Sequence, residues 1–124
     1  MKETNSNAVH RIDLPRIVLV GENVINQIGS ICKEFGYKKS LIVTGKKTYK
    51  IAGELAEQIL NNQTIQTCTT IVSEATRETI EIVKKKIFST KTEVVFGIGG
   101  GRNIDIAKIS SFETNRFFIS VPTV

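Results

Sequence analysis

Along the chain, compact β-branched runs alternate with stretches in which apolar residues return every three or four positions. "RIVLV", Arg16 to Val20, is the first run; it stops at Gly21 and reads as a strand. From Asn23 the residues Val24, Ile25, Ile28, Ile31, Cys32 and Phe35 share one helical face, and Gly36 follows where a left-handed cap would close the helix. "SLIVT", Ser40 to Thr44, predicts a second strand. Ile51, Ala52, Leu55, Ala56, Ile59 and Leu60 predict a second helix, which Asn61 and Asn62 should stop. "IQTCTTIV", Ile65 to Val72, predicts a third strand, polar at alternate positions and therefore near a sheet edge. Thr76 can cap a third helix whose apolar stripe is Ile80, Val83 and Ile87. "EVVFGIG", "NIDIAKISSF" and "RFFISVP" predict a fourth strand, a fourth helix and a fifth strand.

Strand and helix alternate throughout, the connections are short, and most strands are continuously apolar. That pattern predicts an α/β fold: a parallel sheet covered by helices on both faces. The 124 residues suffice for one domain with a modest core. Residues 1–12 read as a polar arm ahead of a domain over 13–124. No apolar stretch approaches the roughly 20 residues of a membrane helix. "MKETNSNAVHRID" lacks the apolar centre of an export signal, so a cytoplasmic location is expected.

The formal net charge is +5, with lysines grouped at 38–39, 46–47 and 84–86. Such a balance suits an anionic ligand. It does not by itself argue for nucleic acid, because surface aromatics and a recognisable nucleic-acid motif are both missing. Cys32 and Cys68 have neither redox nor zinc spacing and are expected to be small buried side chains. The one histidine, His10, lies in the polar arm and reads as solvated.

The candidate chemistry lies in "EVVFGIGGGRNIDIAK", Glu93 to Lys108. Gly97, Gly99, Gly100 and Gly101 stand where the fourth strand becomes a helix. Glycine admits φ > 0 and close approach of a ligand to the backbone, and a helix start offers unpaired N–H groups and the positive end of the dipole. Together these predict a seat for phosphate or pyrophosphate. Two common phosphate loops fail on spacing. The dinucleotide fingerprint G-x-G-x-x-G needs glycine where Arg102 stands, and Glu113 comes too soon for its ribose acid. G-x-x-x-x-G-K-[ST] is satisfied by neither "GIGGGRNI" nor "TGKKT". A tight turn alone needs only one glycine. Asp105, expected in the first helical turn, could stabilise the helix start and pair with Lys108, or could accept a hydrogen bond from a ligand.

"GIGGGRNIDIAK" resembles the G-x-G-G-G-x-x-x-D-x-A-K signature of the superfamily of iron-type alcohol dehydrogenases, glycerol dehydrogenases and dehydroquinate synthases. Gly97, Gly99, Gly100, Gly101, Asp105, Ala107 and Lys108 carry the match. "FISVPT" resembles the next block, and "LPRIVLVGENVI" and "LIVTGKKTYKIAG" resemble the N-terminal half of the archaeal sn-glycerol-1-phosphate dehydrogenase branch. The resemblance covers residues 13–124. It implies a Rossmann-like, dehydroquinate synthase-like N-terminal domain that holds NAD or NADP. Gly99, Gly100 and Gly101 would hold the pyrophosphate, and Arg102, Asn103, Ile104 and Asp105 would continue the contact toward the nicotinamide. Thr123 and Val124 would touch the cofactor from the end of the fifth strand. Many relatives carry an acid at the end of the second strand; Gly45, Lys46 and Lys47 stand there, so NADP should be tolerated.

The resemblance further implies reduction of dihydroxyacetone phosphate to sn-glycerol 1-phosphate for archaeal membrane lipids. In that family an aspartate and two histidines of a helical second domain hold a catalytic zinc. With His10 alone, neither catalytic nor metal-binding residues are expected within these 124 residues. They are expected to be the N-terminal portion of a longer chain, inactive as a dehydrogenase alone. A glycerol dehydrogenase, a dehydroquinate synthase-like relative and a non-catalytic nucleotide-binding module are the rival readings. A homo-oligomer is compatible with all of them.

Overall fold

The computed structural model describes residues 16–18 and 24–123. Its strands are β1 (Arg16–Val18), β2 (Lys39–Thr44), β3 (Gln66–Ile71), β4 (Val94–Gly99) and β5 (Phe117–Pro122). A 3-10 turn (Val24–Gln27) runs into α1 (Ile28–Phe35). After β2 come α2 (Lys46–Thr48), a π-helical turn (Tyr49–Gly53) and α3 (Glu54–Asn62) in one continuous helical stretch. The remaining helices are α4 (Arg77–Thr90) and α5 (Gly101–Thr114). All strand pairs are parallel, in the order β1-β5-β4-β2-β3. Residues 19–23 of the first predicted strand and helix, and the polar arm, lie outside the described residues.

Period-two alternation distributes the strand side chains between two cores. Ile42, Phe96, Ile98 and Ile119 face α1 and α3, where they meet Ile28, Cys32, Ala56 and Leu60. Leu41, Val43, Val95 and Phe118 face α4 and α5, where they meet Val83, Ile87, Ile106 and Ala107. Both faces are therefore covered, as the continuous apolar runs predict. β3 is an edge strand whose residues 67–70 are half-buried, so Cys68 is half-buried and only Cys32 is enclosed. Burial pushes the Cys32 thiol up to about 12, with the Glu93 carboxylate adding to the rise, so this thiol stays protonated and inert. Among the described residues no helix is long and apolar enough to cross a membrane.

The caps follow from local chemistry. Gly36 takes φ 75 and closes α1 through Gly36 N–H to Lys33 O and Tyr37 N–H to Cys32 O. Thr76 caps α4 by accepting from Thr79 N–H at 3.1 Å. Helix α3 departs from expectation. Asn61 and Asn62 belong to it, and the chain leaves the helix at Thr64, which takes φ 60. Its buried face runs through Ala52, Ala56 and Leu60, while Ile51 and Leu55 are 77% and 43% exposed. Each of the two precedes a buried alanine by one residue, about 100° around the helix, which turns it off the face packed on the sheet; the helical stretch opens with the π turn. That turn is packed tightly: a Cβ on Gly53 would lie 2.7 Å from Tyr49 Cδ1. Tyr49 Oη donates to Glu57 Oε1 at 2.9 Å, and Thr69 of β3 donates to the other oxygen of that carboxylate. The hydrogen bond to Glu57 holds the Tyr49 phenol above its ordinary value. Phe35, expected on the buried face of α1, sits at its rim, its ring 5.0 Å from that of Phe117.

Two contacts set the position of α5. Gly97 lies in mid-strand, and a Cβ there would fall 2.8 Å from Ala107 Cβ and 3.3 Å from Ile104 Cα. The helix rests directly on the strand backbone. At its other end Glu113 accepts from Arg77 Nη1 at 2.9 Å, Arg77 Nη2 at 2.6 Å and Lys84 Nζ at 2.9 Å, which ties α5 to α4.

Gly97→Val should cost about 1–3 kcal/mol of overpacking, and Gly97→Ala less, with unchanged m-value in urea unfolding. An unaltered midpoint for both would contradict the packing of α5 on β4. The Arg77 hydrogen bonds, and then that of Lys84, hold the Glu113 carboxyl down at about 2 against 4.5. A folded-state value below the unfolded one adds stability at pH above 4.5 and loses it as pH falls toward about 2. Glu113→Gln should flatten the pH dependence of stability across that interval, and high salt should shrink the difference between the two proteins.

Candidate functional site

The sheet order creates the place for a site. From β2 the chain passes over one face through α3 to β3; from β4 it passes over the other face through α5 to β5. β2 and β4 are neighbours, so between their carboxyl ends the connections diverge. Crevices at such switch points are where ligands of open α/β sheets bind. Here the crevice is a cleft of about 490 Å³. Gly45, Lys46, Lys47 and Thr48 form the wall after β2, Val72 and Ser73 the wall after β3, and Gly100, Gly101, Arg102 and Asn103 the wall after β4.

The glycines divide by role. Gly99 takes φ 137, a conformation side chains avoid, and its carbonyl accepts from Thr123 N–H at 2.9 Å. A Cβ at 99 would also run into the Asn103 amide and lie 3.2 Å from Thr48 Oγ1. Gly100, the N-cap of α5, sits at φ −81 and ψ −177, an extended conformation open to any residue. The expectation of positive φ along the run therefore holds only at Gly99. At Gly100 and Gly101 an added Cβ would meet nothing within 4 Å. The fold itself makes no demand for glycine at these two positions; the space they leave opens onto the cleft.

The start of α5 presents donors without partners. The first intrahelical bond runs from Ile104 N–H to Gly100 O at 3.1 Å, so the N–H groups of Gly101, Arg102 and Asn103 have no intrahelical partner. No side chain caps this helix, and no acid occupies its first turn. Lys46 and Lys47 face it across the cleft, and no carboxylate is among the lining residues. Arg102 Nη1 donates to Ser73 O at 2.6 Å and ties the helix start to the loop after β3. Dipole, free donors and cations all favour a negative ligand.

The predicted residues are thus partly assembled. Gly100, Gly101, Arg102 and Asn103 line the cleft, and Gly99 makes the bend behind them. Ile104 spends its N–H on Gly100 and packs its side chain on the core under α4 and α5. Asp105 is exposed in the second turn of α5, not the first, and no ion pair joins it to Lys108. Thr123 adjoins through its bond to Gly99, and Val124 lies outside the described residues. Thr48, Val72 and Ser73 escaped the sequence reading. Only the pairing of β2 with both β3 and β4 brings them to the glycines. Among the described residues no three His, Cys, Asp or Glu side chains are grouped so that they could hold a metal ion.

The family model described as iron-containing alcohol dehydrogenase matches residues 19–124. A glycerol-1-phosphate dehydrogenase (NAD(P)+) of Methanosarcina barkeri is 38% identical over 120 residues, 96% of this chain and 34% of the relative. The same-named protein of Thermococcus kodakarensis is 40% identical over 116 residues, 93% of this chain and 33% of the relative. The chain thus spans about a third of the length of the curated relatives it matches. Among solved structures, glycerol dehydrogenase from Schizosaccharomyces pombe superposes with a TM-score of 0.76 at 18% identity, over 88% of this chain and 27% of that one. Maleylacetate reductase from Agrobacterium tumefaciens does so with a TM-score of 0.71 at 16% identity, over 90% and 31%. These likenesses concern the fold, an α/β sheet of the kind the hydrophobic pattern predicts. With the match running over most of its length, the chain belongs to the iron-containing alcohol dehydrogenase family.

Proposed function

We propose that residues 13–124 form the NAD(P)-holding part of a glycerol-1-phosphate dehydrogenase, which reduces dihydroxyacetone phosphate to sn-glycerol 1-phosphate. The observation that carries this reading is the pair Gly100 and Gly101: two glycines without an internal reason, beside an uncapped helix start at the switch point. The names of the relatives supply the substrate. On this reading the enzyme acts in the cytoplasm, and its product enters archaeal lipid synthesis.

The cleft residues fit a dinucleotide. The free N–H groups of Gly101, Arg102 and Asn103 would hold the pyrophosphate, and Gly99 would keep the backbone bent away from it. Asp105 would offer an acceptor one turn along α5. Lys46 and Lys47 would stand at the adenosine ribose, so that NADP is accepted beside NAD. When bound, the nicotinamide supplies the hydride. The metal of the longer enzyme, zinc on the resemblance, would be held by residues outside those described.

Gly100→Val tests the reading. Valine adopts the extended conformation seen at 100, so the variant should fold with a melting temperature within a few degrees of the parent. Its side chain would occupy the open space, and the dissociation constant for NAD(P)H should rise on the order of tenfold or more, about 1.4 kcal/mol. Gly99→Ala should behave oppositely, losing about 1–3 kcal/mol of stability to backbone strain. Titration of NAD(P)H fluorescence and thermal unfolding on the same samples separate the two. Unchanged affinity in folded Gly100→Val would reject the seat.

A further inference from the structure

Position 45 carries a glycine that its backbone does not require. Gly45 is the N-cap of α2 at φ −95 and ψ 169, an extended conformation in which aspartate would be a favoured cap. The constraint comes from across the cleft. A Cβ at 45 would lie 3.1 Å from Asn103 Nδ2 and 3.4 Å from Asn103 Oδ1. Asn103 cannot easily yield. It is 9% exposed, it grows from the first turn of α5, and its amide is flanked on the other side by Gly99. Its Nδ2 reaches Ile98 O at 3.5 Å, the outer limit of a hydrogen bond. The asparagine therefore fills a slot that exists because both neighbours lack side chains.

That slot has a chemical meaning. In dinucleotide folds an acid beyond the glycine loop binds the adenosine ribose hydroxyls, and a cation there accepts a 2′-phosphate instead. Gly45 follows β2, the strand hydrogen-bonded to β4, and the next two residues are Lys46 and Lys47. We infer that Asn103 is a positioning residue that acts on cofactor choice through position 45: its amide disfavours any side chain there, a carboxylate included, and so leaves the lysines to meet a 2′-phosphorylated dinucleotide. This rests on the cofactor reading above, and it assigns Asn103 an effect exerted through position 45 rather than through the pyrophosphate alone.

The experiment uses the full chain, Gly45→Asp, Asn103→Ala and the double variant. Without cofactor, Gly45→Asp should lower the melting temperature when Asn103 is present. In the Asn103→Ala background the same change should leave it unchanged or raise it, because the new cap is then unobstructed. Calorimetric titration with NAD+ and NADP+ supplies the second readout. Asn103→Ala alone should leave the ratio of the two dissociation constants where it was. The double variant should move that ratio toward NAD+ on the order of tenfold further than Gly45→Asp does alone, about 1.4 kcal/mol. Equal effects of Gly45→Asp on melting in both backgrounds, or equal ratios for Gly45→Asp and for the double variant, would overturn the inference while the cofactor reading stands. Binding of neither dinucleotide by the unaltered chain would overturn the cofactor reading, and this inference with it.

Discussion

The close approach of α5 to β4 at Gly97 is the contact on which the carboxyl end of the sheet depends. β4 is buried along its whole length between β5 and β2. With no side chain at 97, Ala107 and the backbone at Ile104 come down onto the strand itself. A helix seated so low starts almost at the strand's end, and its first turn projects into the crevice instead of standing above it. The Arg77–Glu113–Lys84 cluster then holds the far end of the helix against α4. This cluster is at the surface, where ion pairs contribute little and are screened by salt. The packing at Gly97 therefore weighs more than the charges at Glu113 in orienting α5.

The electrostatic character of the cleft follows from the same placement. Interactions with a helix dipole contribute about 0.3–1 kcal/mol at exposed sites and up to about 2 kcal/mol in partly buried ones. That is too little to select a ligand unaided. The added effect is directional: several N–H groups point into one space, with Lys46 and Lys47 opposite and no competing carboxylate.

Much of the architecture was legible because its causes are local. The alternation at Leu41, Ile42 and Val43 and the stripe at Ile80, Val83 and Ile87 are direct consequences of strand and helix periods. So were the caps at Gly36 and Thr76. The misjudged places have non-local or context-bound causes. Ile51 and Leu55 fit a helical period but stand about 100° from Ala52 and Ala56, and only the packing of the helix on the sheet decides which flank of a wide apolar stripe is covered. Thr64, Lys91 and Asn115 all take positive φ at helix ends without the glycine that usually marks such ends. In the site, Gly99 to Asn103 could be found because they are consecutive. Thr48, Ser73 and the contact of Asn103 with Gly45 could not, since they come together only through the order in which the strands pair.

The glycine cluster shows how fold and ligand demands are told apart within one short segment. Glycine in place of another residue costs conformational entropy, about 0.5–1 kcal/mol relative to alanine in a regular element. At Gly97 that cost is offset by packing, and at Gly99 by a backbone turn no side chain adopts comfortably. At Gly100 and Gly101 the structure contains nothing that offsets it: the backbone at 100 is ordinary, and the space beside both is empty of protein atoms. A chain optimised for stability alone would place a capping serine or aspartate at 100 and gain a few tenths of a kcal/mol. An aspartate cap would also put a carboxylate on the spot where the helix attracts an anion. The uncapped glycine start is thus slightly unfavourable to the isolated domain, and the phosphate of the proposed cofactor, approaching the bare backbone, would offset that cost.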